Sequence, residues 1–193
     1  NTIKKLIESR KATAAVIGLG YVGLPLAMDM RAAGFNVIGI DLDRKKIAAL
    51  KEGKSYIRDV DDQIISEAIG SERFFPTSDF STLAKADSVS ICVPTPLSKS
   101  RDPDISFILA ATEEIRKYLH NGQLIVLEST TYPGTTEELI LPELGGSGLK
   151  VGSDFYLAFC PERIDPGNKA FTTRNTVKIV GGITPDCTEI AHL

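Results

Sequence analysis

The first part of the chain alternates short apolar runs with longer amphipathic stretches. Residues 14–17 are an apolar run that leads into a glycine-rich turn. An amphipathic stretch follows over residues 24–33, and a second apolar run, 37–40, ends on Asp41. A short apolar run bounded by turn residues is typical of a buried strand, and apolar residues three and four apart are typical of a helix. The pattern therefore predicts strand, glycine turn, helix and strand, in that order.

The same alternation continues to the end of the chain. Further apolar runs predict strands at 74–77, 88–93, 123–127, 155–159 and 176–180. Stretches with helical spacing predict helices at 2–10, 43–53, 61–69, 105–119, 135–141 and 185–193, with a helical turn at 81–85. Strands that alternate with helices indicate an α/β fold, a Rossmann-type, doubly wound and mainly parallel sheet with helices on both faces.

The turn after the first strand matches the dinucleotide fingerprint G-x-G-x-x-G. Its residues are Gly18, Leu19, Gly20, Tyr21, Val22 and Gly23. The first glycine allows a tight turn, the second lets the backbone approach a pyrophosphate, and the third lets the helix pack close to the strand. The N–H groups at the helix start favour phosphates. A glycine-rich turn that binds nothing is the alternative, which the surrounding strands, helix and terminal acid disfavour.

The acid at the end of the second strand indicates which dinucleotide binds. Asp41 lies where a carboxylate can accept hydrogen bonds from both ribose hydroxyls, and it would repel a 2′-phosphate. Arg44, Lys45 and Lys46 follow and could attract such a phosphate. Because the acid stands at the strand end itself, the sequence favours NAD over NADP.

Composition narrows the functional classes. Of 193 residues, 42% are hydrophobic and 24% charged, and the net charge of −3 comes without a basic run, which argues against non-specific nucleic-acid binding. No apolar stretch reaches the ~18 residues of a membrane span, and residues 1–11 lack the apolar core of a signal peptide. Widely spaced Cys92, Cys160 and Cys187 indicate neither a disulfide framework nor a metal site. We therefore predict a cytoplasmic protein without membrane or nucleic-acid partners.

Polar or turn motifs follow five of the predicted strands. The runs end at Ile17, Ile40, Val93, Leu127 and Phe159. In a doubly wound sheet the ligand binds outside the carboxyl ends of the strands, and right-handed crossovers place those ends on one edge. The sequence therefore predicts that the five motifs converge on one crevice.

Four of these motifs stand in a distinctive order: VIGLGYVGLPLA (16–27), ICVPTP (91–96), ESTTYPGTT (128–136) and FCPERIDPGN (159–168). In this order and at these spacings they resemble the nucleotide-sugar 6-dehydrogenases, the UDP-glucose/GDP-mannose dehydrogenase family. SYIRDV (55–60), together with PERIDPGN, is most similar to the branch that acts on UDP-N-acetylhexosamines. The resemblance covers residues 12–182 and implies NAD as cofactor and a UDP-sugar, a UDP-N-acetylhexosamine, as substrate.

By motif match, the resemblance also implies the roles of single residues. The glycine turn would hold the pyrophosphate, Asp41 and Lys46 the adenosine ribose side, and Val93, Thr95 and Thr130 the nicotinamide end. Glu162 would activate a hydrolytic water, Thr130 would help to position it, and Glu162, Arg163 and Asp165 would line the sugar nucleotide. On the residues alone, Glu162 can also be a capping carboxylate, Thr95 a turn residue, and Thr130 a hydroxyl that bonds its own backbone.

The implied reaction oxidises the sugar C6 alcohol to a carboxylate in two steps, each of which reduces one NAD. In the family, a cysteine thiolate traps the aldehyde of the first step, and water hydrolyses the thioester of the second. That cysteine belongs to a later segment; neither Cys92 nor Cys187 matches its motif, and Cys160 stands where the family more often has serine.

We therefore expect a fragment of a larger, homo-oligomeric enzyme that cannot complete the oxidation alone. Residues 1–183 would be the NAD-binding domain and 184–193 the start of a linking helix. Two rivals remain, a hydroxyacid or phosphogluconate-type dehydrogenase domain and a non-catalytic NAD-binding or sensing module.

Overall fold

The structure is a computed structural model that describes residues 2–97, 103–162 and 176–193. The strands are β1 (Thr13–Ile17), β2 (Asn36–Ile40), β3 (Phe74–Thr77), β4 (Ser88–Ile91), β5 (Leu124–Leu127), β6 (Tyr156–Phe159) and β7 (Gly181–Gly182). The α-helices are α1 (Thr2–Glu8), α2 (Gly23–Ala32), α3 (Arg44–Lys51), α4 (Asp62–Gly70), α5 (Ser106–Tyr118), α6 (Leu141–Gly145) and α7 (Pro185–Ala191). A 3₁₀-helix (Phe80–Lys85) precedes β4, and a π-helical segment (Thr135–Ile140) runs directly into α6.

Within the described residues, seven strands form one sheet in the order β3-β2-β1-β4-β5-β6-β7. β1 to β6 are parallel, and only β7 is antiparallel. The register aligns the strand ends, because Ile17 pairs with Ile40 on one side and with Ile91 on the other. Leu127 in turn pairs with Ile91 and with Phe159. The strand exits therefore meet along one edge, as predicted, and the strand order reverses between β1 and β4.

Two hydrophobic cores lie on opposite faces of the sheet. On one face α5 and α6 bury Ile108, Ile115 and Leu144 against the strands. On the other, α2, α3 and α4 contribute Leu24, Leu50 and Ile65. Helices α3, α4 and α5 cover the sheet with an apolar stripe at helical spacing, which is the reason the periodicity located them. The helix predicted at 135–141 is instead a π-helical segment that runs into α6, which was not predicted. Helices on both faces of a mainly parallel sheet confirm the predicted α/β, doubly wound fold class.

The predicted strand at residues 176–180 is wrong. Only Gly181 and Gly182 pair with β6, through Phe159 and Ala158. Val177 and Ile179 are 81% and 58% exposed, so the β-branched run that suggested a strand buries little apolar surface. Within this segment Lys178 turns inward and forms an ion pair with Glu128.

The end of the chain packs onto the same domain. In α7, Cys187 and Ile190 are buried against Ile3 and Ile7 of α1 and against β5 and β6. The boundary at residue 183 stays a prediction. Among the helices described, none is both long and apolar enough to cross a bilayer.

Candidate functional site

The glycine turn has little room wherever it touches the sheet. Gly18 adopts φ +90°, and its N–H donates to the Ile40 carbonyl at 2.8 Å. A Cβ on Gly18 would lie 2.5 Å from the Cys92 carbonyl oxygen, and one on Gly23 would overlap the Gly18 carbonyl oxygen. Gly20 differs, because no described atom lies within 4 Å of its Cβ position. The turn therefore leaves open space at the one glycine where the fingerprint expects a pyrophosphate.

One backbone N–H in the first turn of α2 is left for a ligand. Within the described residues no side chain caps the helix at Val22. The Leu24 N–H donates to the Gly20 carbonyl at 3.1 Å and Pro25 has no N–H, so of these three leading residues only Gly23 has an N–H without a described acceptor. Tyr21 is 58% exposed, whereas the Leu19 side chain is fully buried. Leu19 can therefore contribute to a ligand site only through its backbone.

Three hydrogen bonds hold the Asp41 carboxylate. Oδ2 accepts from the Leu19 N–H at 2.9 Å and from Lys46 Nζ at 3.1 Å, and Oδ1 accepts from the Asp43 N–H at 2.9 Å. A carboxylate offers about four acceptor positions, so Oδ1 is the oxygen with room for a further donor. The fold thus orients the Asp41 carboxylate, which the sequence predicts to bind the ribose, and Oδ1 remains available to a further donor.

Lys46, one of the three cations that follow Asp41 in the sequence, is already paired with it. The side chain of Lys46 is 34% exposed and that of Asp41 is 11% exposed. The ammonium also lies 5.8 Å from the centroid of the Tyr56 ring. A lysine held by a carboxylate is a poor partner for a 2′-phosphate, and this arrangement favours NAD.

A cavity of about 650 Å³ opens beside the switch point between β1 and β4. Four predicted site residues line it, namely Gly18, Asp41, Lys46 and Val93. Its apolar wall includes Phe107 and Tyr118 of α5. The other predicted residues lie outside this cavity: the rest of the glycine turn follows β1, Thr95 follows β4, Thr130 follows β5 and Glu162 follows β6.

Ser129 joins the strand exits that carry Thr95 and Thr130. Its hydroxyl donates to the carbonyls of Ile91, at 3.2 Å, and Val93, at 2.8 Å. This contact holds the Thr130 exit beside the exit that carries Thr95, both on the sheet edge. Thr130 itself is exposed and Thr95 is partly buried, so a ligand can reach both side chains; their contact with the nicotinamide end stays a prediction.

Beyond these exits, Lys178 bridges two buried carboxylates. Lys178 Nζ lies 2.8 Å from Glu128 Oε2 and 3.6 Å from Glu162 Oε2. The Glu128 and Glu162 side chains are 5% and 8% exposed, and that of Lys178 is 26% exposed. Burial disfavours the charged lysine, but the carboxylates of Glu128 and then Glu162 outweigh it and raise the pKa of Lys178. The predicted catalytic carboxylate thus lies in a buried ionic cluster.

The cysteines near this cluster are poor nucleophiles. Burial, followed by the charge of Glu128, raises the pKa of Cys160 to about 11. The same two causes raise the pKa of the fully buried Cys92 thiol well above its ordinary value. Since the thiolate is the reactive form, both are suited to packing. Arg163 and Asp165 lie outside the described residues.

Sequence reasoning missed four of these contributors: Tyr56, Glu128, Ser129 and Lys178. Glu128 and Ser129 stood inside a motif, and an acid directly after a buried strand was the available signal. Lys178 was hidden in a run mistaken for a strand. In the parts of the chain described, no group of three or more metal-ligating side chains comes together.

Fold and site together define a dinucleotide-binding domain of the Rossmann type, with its ligand edge at the carboxyl ends of the strands. Comparison with known proteins narrows this class. The profile of the UDP-glucose/GDP-mannose dehydrogenase family, NAD binding domain, matches residues 12–193. The chain belongs to this family.

Individual relatives agree with this assignment. The chain is 39% identical over 177 residues to a UDP-N-acetyl-D-glucosamine 6-dehydrogenase of Pseudomonas aeruginosa, covering 91% of this chain and 41% of that protein. It is 33% identical to a UDP-N-acetyl-D-mannosamine dehydrogenase of Pyrococcus horikoshii, covering 92% and 43%. The crystal structure of an NDP-N-acetyl-D-galactosaminuronic acid dehydrogenase from Methanosarcina mazei Go1 superposes with a TM-score of 0.87 at 33% identity, covering 98% and 43%. The chain thus spans less than half the length of these relatives.

Changing Asp41 to alanine is expected to weaken NAD binding about tenfold or more and to bring the affinity for NADP up to that for NAD. The change removes a charged acceptor, worth about 1.5–3 kcal/mol, and releases Lys46 for a phosphate. Titration of the intact protein with both cofactors measures the effect. Asp43→Asn, which alters charge two residues away and keeps a capping side chain, is the control. An unaltered protein that binds the two cofactors equally would contradict this role of Asp41.

Proposed function

We propose that the chain is the NAD-binding part of a UDP-sugar 6-dehydrogenase, which oxidises the C6 alcohol of a UDP-N-acetylhexosamine to a carboxylate in two NAD-dependent steps. The observation that carries the proposal is the shared sheet edge, where the glycine turn and Asp41 are in line with the buried carboxylate Glu162. The family and the names of the relatives support the substrate class.

The cofactor would lie across the switch point of the sheet. The pyrophosphate would lie over Gly20 and the start of α2, and the adenosine ribose would donate to Asp41 Oδ1. The nicotinamide end would lie beside Val93, Thr95 and Thr130, which Ser129 holds together. When bound, NAD supplies the hydride acceptor for each oxidation. The cavity lined by Asp41, Phe107 and Tyr118 has the position and the apolar wall for the adenine side.

Glu162 is proposed as the general base that takes a proton from the water that hydrolyses the thioester. A base must lie within hydrogen-bond reach of that water, and Glu162 follows the end of β6, at the same sheet edge as Thr130. Lys178 and the partner carboxylate Glu128 fix its charged environment. Thr130 would position the water, and Arg163 and Asp165 would contact the sugar nucleotide.

Several parts of this proposal concern the intact protein. The thioester would form on a cysteine outside these 193 residues, because Cys92, Cys160 and Cys187 are all buried and the pKa values of the first two are raised. The linking role of residues 184–193, a homo-oligomer and a cytoplasmic location remain predictions of the same kind.

Glu162→Gln in the intact protein is expected to slow thioester hydrolysis by about 10²–10⁴-fold, the usual contribution of a general base. Incubation with NAD and a UDP-N-acetylhexosamine should then give a burst of NADH followed by slow turnover, with the acyl-enzyme detectable by mass spectrometry. Glu52→Gln, at an exposed carboxylate just after α3, is the control and should turn over normally.

The outcome also separates the rivals. A hydroxyacid-type dehydrogenase would form no NADH from the UDP-sugar, but would form one NADH per molecule of a hydroxyacid substrate, with no acyl-enzyme in either protein. A sensing module would bind NAD and oxidise nothing. Normal steady-state turnover of the Glu162→Gln variant would remove Glu162 from the proposed mechanism.

A further inference from the structure

We propose that Tyr56 is a positioning residue of the cofactor site, which aims the Gly20 N–H at the pyrophosphate by holding the carbonyl of Leu19. The proposal rests on the cofactor site proposed above. Tyr56 belongs to the loop between α3 and α4, and the G-x-G-x-x-G fingerprint does not include it.

Both backbone polar groups of Leu19 are held by side chains. Tyr56 Oη donates to the Leu19 carbonyl oxygen at 2.7 Å, and the Leu19 N–H donates to Asp41 Oδ2 at 2.9 Å. Lys46 links the two side chains, since it donates to Asp41 Oδ2 and its ammonium lies 5.8 Å from the centroid of the Tyr56 ring. The middle of the glycine turn therefore has its orientation set from outside the turn.

The planarity of the peptide bond turns this contact into an effect on the ligand site. In a trans peptide the carbonyl of Leu19 and the N–H of Gly20 point in opposite directions. Holding the carbonyl at Tyr56 therefore directs the Gly20 N–H away from Tyr56, and keeps a carbonyl oxygen from turning toward a phosphate. In the described part of the chain no group accepts from this N–H. The Cβ position of Gly20 likewise meets no described atom within 4 Å.

The loop that carries Tyr56 is itself anchored. The Ser55 N–H donates to Asp62 Oδ1 at 2.7 Å, and Ser66 Oγ donates to the Gly53 carbonyl at 3.1 Å. Ile57 is buried in the core beneath α2 and α4. Burial, and then the charge of Asp41, raise the pKa of Tyr56 above its ordinary value, so the hydroxyl remains a donor at physiological pH. The Tyr56 hydroxyl that donates to the Leu19 carbonyl is thus held by an anchored loop.

Tyr56→Phe tests the role because it removes the hydroxyl and keeps the ring. The expected result is a three- to tenfold loss of affinity for NAD and for ADP-ribose, about the value of one net hydrogen bond. Affinity for adenosine, which lacks a pyrophosphate, should not change. Calorimetric titration of the intact protein measures the first two, and NMR shift titration measures adenosine. A merely structural role would weaken all three ligands together.

Ser66→Ala is the matched control. It removes another hydroxyl-to-carbonyl bond that anchors the same loop, without touching the glycine turn, and it should leave the affinity for NAD unchanged. Affinity for NAD within twofold of the unaltered protein in Tyr56→Phe, or an equal loss for adenosine, would overturn the role of Tyr56. If the unaltered protein failed to bind NAD, the cofactor site itself would be wrong, and this proposal would fall with it.

Discussion

Gly23→Ala is expected to destabilise the protein by about 3 kcal/mol and to abolish detectable NAD binding. The new Cβ would overlap the carbonyl oxygen of Gly18 and press on the Cys92 side chain. Gly18 cannot retreat, because its N–H is bonded to the end of β2 and its own Cα faces the backbone of Cys92. Overpacking of this kind costs about 1–3 kcal/mol, occasionally more. Urea unfolding gives the stability, and titration gives the affinity.

Gly20→Ala separates folding from binding at the same turn. Its added Cβ meets no described atom within 4 Å, so the free energy of unfolding should stay within about 0.5 kcal/mol, as for most surface changes. NAD binding should nevertheless fall at least tenfold, because the methyl group would occupy the space proposed for the pyrophosphate. A stable Gly23→Ala variant, or a Gly20→Ala variant that binds NAD normally, would contradict this geometry.

Lys178→Met is the second change with a large expected effect, a loss of about 3 kcal/mol of stability at pH 7. It leaves the Glu128 and Glu162 carboxylates buried side by side without their shared cation, and removing one partner of a buried pair costs about 3–5 kcal/mol. Chemical unfolding of the intact protein across a range of pH measures the loss.

The raised pKa of Lys178 determines how its contribution to stability changes at high pH. A lysine whose pKa is higher in the folded state stabilises the fold fully below the ordinary value of about 10.4. The contribution is lost only as the pH rises through the raised value. The difference between the unaltered protein and Lys178→Met should therefore persist from neutral pH to about pH 10 and narrow above it.

Lys54→Met is the matched control, because it breaks a lysine–carboxylate pair at the surface. Lys54 lies 3.0 Å from Asp62, but the two side chains are 64% and 50% exposed. Exposed pairs of this kind contribute little to stability, so Lys54→Met should change the free energy of unfolding much less than Lys178→Met. If Lys54→Met and Lys178→Met lost equal stability, the buried cluster would have no special role in the fold.

Local pattern was sufficient for most of the fold. Two examples are the helical spacing of Ile108 and Ile115 and the apolar run of β5. Each pattern predicted which side chains are buried, and those side chains are buried in the structure. The strand prediction for residues 176–180 was wrong because there the apolar pattern does not correspond to buried side chains. Their β-branched composition fits a strand, yet Val177 and Ile179 face solvent, and an inward lysine holds the segment by its charge.

Only those parts of the candidate site could be predicted in which a recognisable local motif directly follows a strand. The spacing of Gly18, Gly20 and Gly23 and the position of Asp41 are local features, and a parallel sheet brings them to one edge. Tyr56 and Lys178 act through partners 37 and 50 residues away in the chain. Such pairings depend on register and loop path, which no local pattern encodes.

Hydrogen exchange of backbone amides, with and without NAD, tests most directly whether the cofactor lies along the carboxyl edge of the sheet. We expect NAD to slow exchange in the glycine turn, around Asp41 and between Val93 and Thr95, and to leave the opposite-edge turns at Gly34 and Gly122 unchanged. Protection confined to Gly34 and Gly122, with no change in the glycine turn, would contradict the proposed site.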